Sequence, residues 1–325
     1  DVIKGLSSTQ LNSLTTAQMS SLTSAQLAAV DTEDIENLTT TQLAALKAPQ
    51  LKGLTSDQMA ALTADQADSL STAQLRGLSA SQLGYLGSDQ AAALTSTQVG
   101  ALNSQQLNGL SSDAVAALDS EDLNNISNSV LKKLDASFIE ALSSDQVGNL
   151  STAKISALSS TQISSLTTDQ VSQLGTADLN SLTTSQFANL SSAQAEALTT
   201  TQLGQLLTDS LNALGTAQVA ALLTTQVAAI EVFDIGGFSA TQINALSTEQ
   251  VQSLRTQQVA AFSQVQLAAL SEEQIINLST AQIQAITPKA LPALTTASTT
   301  FCAVSVHCFS ILDTSVWLRG SEPSK

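Results

Sequence analysis

The stretch SSTQLNSLTTAQMSSLTSAQL, Ser7 to Leu27, decides how the rest of the chain is read. It repeats one phrase every eight residues: a small polar residue, two further residues, Gln, an apolar residue, two small residues and Leu. Numbering the octad from 1 to 8 makes Ser7 position 1, Gln10 position 4, Leu11 position 5 and Leu14 position 8. Position 8, followed from Leu6 to Leu294, is Leu except at Val30, Ile126, Ile230, Phe238, Phe262 and Ile286. Position 5, from Leu11 to Leu291, is apolar in all 36 full octads, although Ala67, Ala91 and Ala195 are small.

An uninterrupted helix cannot use this spacing. Eight residues turn through about 800°, so the Leu stripe would drift roughly 80° around the axis with each repeat. A strand fails too, because apolar offsets of five and eight mix odd and even positions. The helix must therefore break once per octad, and position 1 shows where. There, 24 of the 36 residues are Ser or Thr, as at Thr15, Thr23, Thr39 and Ser71, and seven more are Asp, Asn or Gly. These residues favour a helix N-cap, where a side-chain oxygen accepts from an exposed backbone N–H. Gln fills position 4 in 26 of 36 octads. Ser/Thr-x-x-Gln is a capping box, with the Gln side chain reaching back to the cap residue's own N–H, and Leu6 with Leu11 takes the places of a hydrophobic staple.

Each octad thus reads as a helix of five to seven residues, such as Ser8 to Leu14. This is far below the roughly 12 to 15 residues at which an isolated helix becomes marginal in water. Stability has to come from neighbouring octads stacking their apolar positions, with Ala, Ser, Gly and Asn letting backbones approach. The expected fold is an all-α solenoid of very short N-capped helices, one per eight-residue repeat, wound into an extended rod with two or three octads per turn. A disordered Ser/Thr/Gln-rich linker is opposed by a charged fraction of only 12% and by the unbroken apolar register. The expected domains are an octapeptide-repeat solenoid over 1–294 and a non-repeat tail over 295–325. Asp1 and the in-register Ile3 and Leu6 read as a start inside an octad, hence a piece of something longer.

Aromatic residues make up 3% of the chain, so Leu, Val, Ile and Ala must build the core. The net charge of -16, with 11 scattered Lys and Arg, argues against nucleic acid and anionic membrane surfaces. No apolar run is long enough for membrane insertion. The acids fall mostly in the first turn of each helix, where the dipole and free N–H groups stabilise negative charge. Two dense clusters, DTEDIEN from Asp31 and DSEDLNN from Asp119, lack the glycine and distal Glu of a calcium loop. Four successive octads, Ser111 to Leu142, lose the glutamine and read as a softer or older segment in which the apolar register survives. EVFDIGGF, Glu231 to Phe238, is expected to be a variant repeat, with a local bend at Gly236 and Gly237 as the other reading.

In the tail, Cys302, His307, Cys308 and Trp317 follow a break in the pattern. A Cys–His pair suits a nucleophile or a zinc site, but the rod supplies no fourth ligand. A terminal cap over the last Leu layer and an end outside the repeat's own design are the two other readings.

Units such as LGTAQVAAL (Leu214 to Leu222) and LTTTQLAAL (Leu38 to Leu46) resemble the short Thr/Ala/Gln/Leu octapeptide tandem repeats of very large bacterial surface or secreted, adhesin-like proteins. The resemblance spans Leu6 to Leu294 and implies an extracellular or cell-surface location. It implies no cofactor, since the rod carries no haem-ligating His or Tyr arrangement. The expected function is a non-enzymatic structural scaffold, an extended spacer or stalk, with no catalytic, cofactor-binding or metal-ligating residues assigned. The alternative is a binding module whose aligned Ser/Thr/Gln rows engage a carbohydrate, protein or ice surface, with the partner itself unknown.

Overall fold

A computed structural model describes residues 5–294 of the chain. The tail with Cys302, His307, Cys308 and Trp317 lies outside the described residues, as do the readings attached to it. Among the described residues the chain is all-helical, from Ser8–Asn12 through one short helix per octad to Thr280–Ala285. No described helix is long and apolar enough to cross a membrane. The chain divides into two units after Ala197.

The local geometry is the expected one, with a shorter helix. At Thr167 the backbone is extended (φ -70°, ψ 163°), and the hydroxyl accepts from the Gln170 N–H. Helix Thr168–Gln173 follows, and Leu174 is again extended (φ -60°, ψ 134°). The helices run four to six residues, as in Thr16–Met19, Ser24–Ala28 and Thr168–Gln173, rather than five to seven. The position-8 Leu leaves the helix because an extended backbone there turns its side chain inward and presents the next cap. The described residues are built this way without a single positive φ. The octad Glu231 to Phe238 keeps the ordinary helix, Val232–Gly237.

The two apolar positions form the core in both units. Leu43, Val171 and Phe187 in the first unit and Val219, Leu267 and Ile243 in the second are fully buried, and the position-8 residues beside them stay almost as dry. Burying one such side chain contributes about 1.5–3 kcal/mol, which no isolated octad can collect.

Helices pack against the third helix onward. Ser88–Ala92 meets Ser112–Ala117 and Ser96–Ala101 meets Ser120–Asn125 in the first unit; Thr224–Ala229 meets Thr248–Ser253 in the second. Side chains also bond to the fourth octad back, at a separation of 28 residues. A turn therefore takes three and a half octads, not two or three. Every octad turns two apolar side chains inward, and a tighter ring has no room for them. Each helix consequently sits between two helices of the next layer, like a staggered brick. Small residues make the stagger possible: a Cβ on Gly53 would lie 2.6 Å from the Ser24 carbonyl oxygen, one layer away.

Candidate functional site

The polar feature that organises this molecule is position 4. Gln42 accepts the Thr39 N–H at Oε1 (3.1 Å), the expected capping-box contact. Its Nε2 then donates to the Leu11 carbonyl (3.2 Å) and the Leu14 carbonyl (3.0 Å), residues 31 and 28 earlier in the chain. Gln58 does the same with Thr55 N–H (2.9 Å), Leu27 O (2.8 Å) and Val30 O (2.6 Å). In the second unit, Gln258 takes the Arg255 N–H (2.7 Å) and gives to Val227 O (3.0 Å) and Ile230 O (2.8 Å).

The chemistry explains the residue type. A four-to-six-residue helix leaves N–H groups orphaned at its start and carbonyls at its end. A primary amide carries both an acceptor and donors, so one Gln satisfies the start of its own helix and the end of another in the layer before. The glutamines form a ladder that laces the layers together. Burial follows from this duty: Gln10, Gln18 and Gln26 are exposed, and from Gln42, the first glutamine with a full turn before it, the row is largely buried. From Gln42 onward, then, the amides that an aligned Ser/Thr/Gln binding face would need at the surface are largely inside.

The Gln half of the capping box is also the sturdier half. Lys47 and Arg255 have no capping oxygen, yet their N–H groups still reach Gln50 Oε1 and Gln258 Oε1, each at 2.7 Å. Conversely, Asp31, Asp135 and Glu231 hold cap geometry without any side-chain cap bond.

Departures from Gln show the same requirements being met by other means. A carboxylate accepts but cannot donate, and each position-4 Asp recruits a hydroxyl from the preceding layer. Thr152 donates to Asp178 at 2.7 Å, Ser8 donates to Asp34, and Thr208 to Asp234, each 26 residues apart. Asp122 accepts from Ser96 and from the Asp119 N–H, and burial, reinforced by the Asp119 and Glu121 charges, holds its carboxyl above the usual range. Lys154 keeps the donor role: its Nζ bonds the Ile126 carbonyl, 28 residues earlier, and burial lowers its pKa.

Where position 4 has no acceptor, an Asn below can supply one. Asn108 Oδ1 accepts the Asp135 N–H (3.1 Å) and Asn124 Oδ1 accepts the Ser151 N–H (2.7 Å), both from 27 residues earlier. These asparagines, and the ladder itself, escape sequence reading. The available signal was an Asn at position 6 standing 27 residues before a cap whose octad lacks Gln. The first-turn acids fall where expected, among them Asp57, Asp113, Asp145 and Asp169.

Among the described residues no buried side-chain nitrogen or oxygen lacks a hydrogen-bond partner. One interior cavity, beside Phe138, is about 10 Å³ and lined only by apolar side chains such as Leu123, Ile126 and Leu142, which give a water no partner. No curated protein matches the chain. Six stretches, residues 27–64, 65–96, 115–152, 148–176, 171–208 and 227–264, match the ALTTAQ repeat and together cover more than half of the sequence. With this coverage the chain belongs to the ALTTAQ repeat family.

Proposed function

We propose that the chain is a non-enzymatic structural scaffold, a spacer or stalk segment of a bacterial extracellular or cell-surface protein, whose reach is set by the number of octads. The observation that carries this reading is the internal use of the polar groups: both ends of the Gln amide are committed to backbone, and among the described residues no buried polar side chain lacks a partner. A catalytic centre needs the opposite, a polar group held out of water and aimed at a reacting atom. The surface location rests on the resemblance to repeats of bacterial surface proteins.

The test is length. Inserting seven octads adds two whole turns, and small-angle scattering should show the radius of gyration growing in proportion to octad number. A globule would grow only as about the 0.38 power of chain length, and that result would remove the spacer reading. A binding module predicts something else: replacing the exposed position-3 threonines Thr41, Thr97 and Thr161 by Ala should then abolish attachment to bacterial or host surfaces while leaving the helix signal intact.

A further inference from the structure

The four octads from Ser111 to Leu142 carry Ala114, Asp122, Val130 and Phe138 at position 4. None of these offers an amide. Other departures, such as Lys154, Asp178 and Ser210, stand singly among glutamines. Because a turn takes three and a half octads, four in succession remove the ladder around one complete turn. The carbonyls that these rungs would reach, 28 residues earlier, are those of Leu86, Leu94, Leu102 and Leu110. No described residue donates to any of the four, and all four residues are buried. What still joins the two layers lies mostly at the exposed edge: Ser88 to the Asp113 carbonyl (3.5 Å), Asn125 to the Ser96 carbonyl (2.5 Å), and Asn108 to the Lys133 carbonyl (3.4 Å) and to the Asp135 N–H. The interior contact left there is Ser96 with Asp122, a carboxylate held among Asp119 and Glu121. The apolar cavity beside Phe138 lies on the other side of this turn, toward Val147, Leu158 and Leu166, and takes no part in the plane.

We propose that this turn is a built-in parting plane: the first unit opens between residues 83–110 and residues 111–142 in preference to its other turns, where departures from Gln stand singly. Apolar packing, with Ala114 and Phe138 buried in place of amides, keeps the plane closed at rest. Closing it requires no amide–carbonyl rung to be found again, so opening there is local and reversible. The layers on either side remain laced by Gln98 and Gln106 below and by Gln146, Gln162 and Gln170 above.

Native-state hydrogen exchange on the full chain tests this. Amides of residues 83–142 should exchange about tenfold or more faster than those of residues 39–74, because several net-favourable hydrogen bonds are missing at once. The double variant Ala114→Gln with Val130→Gln should slow exchange in that segment toward the level of its neighbours. The converse variant, Gln50→Ala, Gln58→Ala, Gln66→Ala and Gln74→Ala, strips one full turn and should create a second fast segment there. Equal protection across both segments of the unaltered chain overturns the proposal without any variant. So does a repaired chain that keeps native helicity and exchanges no more slowly. If the repaired chain does not fold, the converse variant decides: no new fast segment at residues 39–74 refutes the link between ladder and opening.

Discussion

At Gln170 a single side-chain amide meets four backbone groups: the Thr167 N–H at 2.8 Å, the Ile139 and Leu142 carbonyls at 2.9 and 2.6 Å, and the Glu140 carbonyl at 3.5 Å. Thr167, in contrast, is exposed and contributes one contact to the Gln170 N–H at 3.2 Å. Thr167→Ala should therefore cost about 0.5–2 kcal/mol, as at other N-caps. Gln170→Ala should cost more, since buried backbone groups left unpaired cost about 1–3 kcal/mol. Leu166→Asp should exceed both, at about 3–5 kcal/mol, because it places an unpaired charge in an apolar interior. Denaturant unfolding of the three variants gives the order, and equal effects of the Thr167 and Gln170 changes would contradict the ladder. Asp122 makes a pH prediction. Its folded pKa is raised by burial, so its contribution to stability is fully present below the ordinary carboxyl value of 3.8 and is lost as pH rises through the folded value. Asp122→Asn should raise the unfolding midpoint at neutral pH and flatten its pH dependence just above 3.8; an unchanged pH profile would show that the carboxylate is solvated after all.

A single octad is a helix of four to six residues that cannot form alone. Its peptide, Thr167 to Leu174, should show no helical circular dichroism in water. Within the chain the octad is a unit of exchange, because any octad presents the same cap, amide and two apolar residues to its neighbours. Inserting a complete octad after Leu166 should therefore lower the melting temperature only slightly. One residue inserted at the same place should lower it much more. The single insertion turns positions 5 and 8 away from the core and breaks the spacing of 28 residues between amide and carbonyl, whereas the octad insertion restores both one step along. Thermal melts of the two variants measure this, and equal melting temperatures would mean that octads do not pack as registered units.

On the scale of the molecule, stability accumulates by layers, each turn adding its own core residues and rungs to those of its neighbours. The chain lengthened by seven octads should accordingly melt at a higher temperature than the parent; a lower one would show that added turns do not stack. How far this organisation can be read without coordinates depends on distance along the chain. The break after each Leu, the Ser/Thr cap, the Gln reaching its N–H and the inward pairs such as Leu43 with Leu46 all lie within one octad. A capping box spans three residues, so its partners meet whatever the rest of the chain does, and the sequence by itself determined them. The other end of the same amide finds its carbonyl 28 and 31 residues away, and Asn124 finds the Ser151 N–H at 27. Those pairings depend on the angle through which each octad turns the chain. A small change in that angle, summed over several octads, brings a different carbonyl under the amide. Only the tertiary structure decided that angle, through the room that two inward side chains per octad require, and with it the burial of the glutamines and the turn that lacks them.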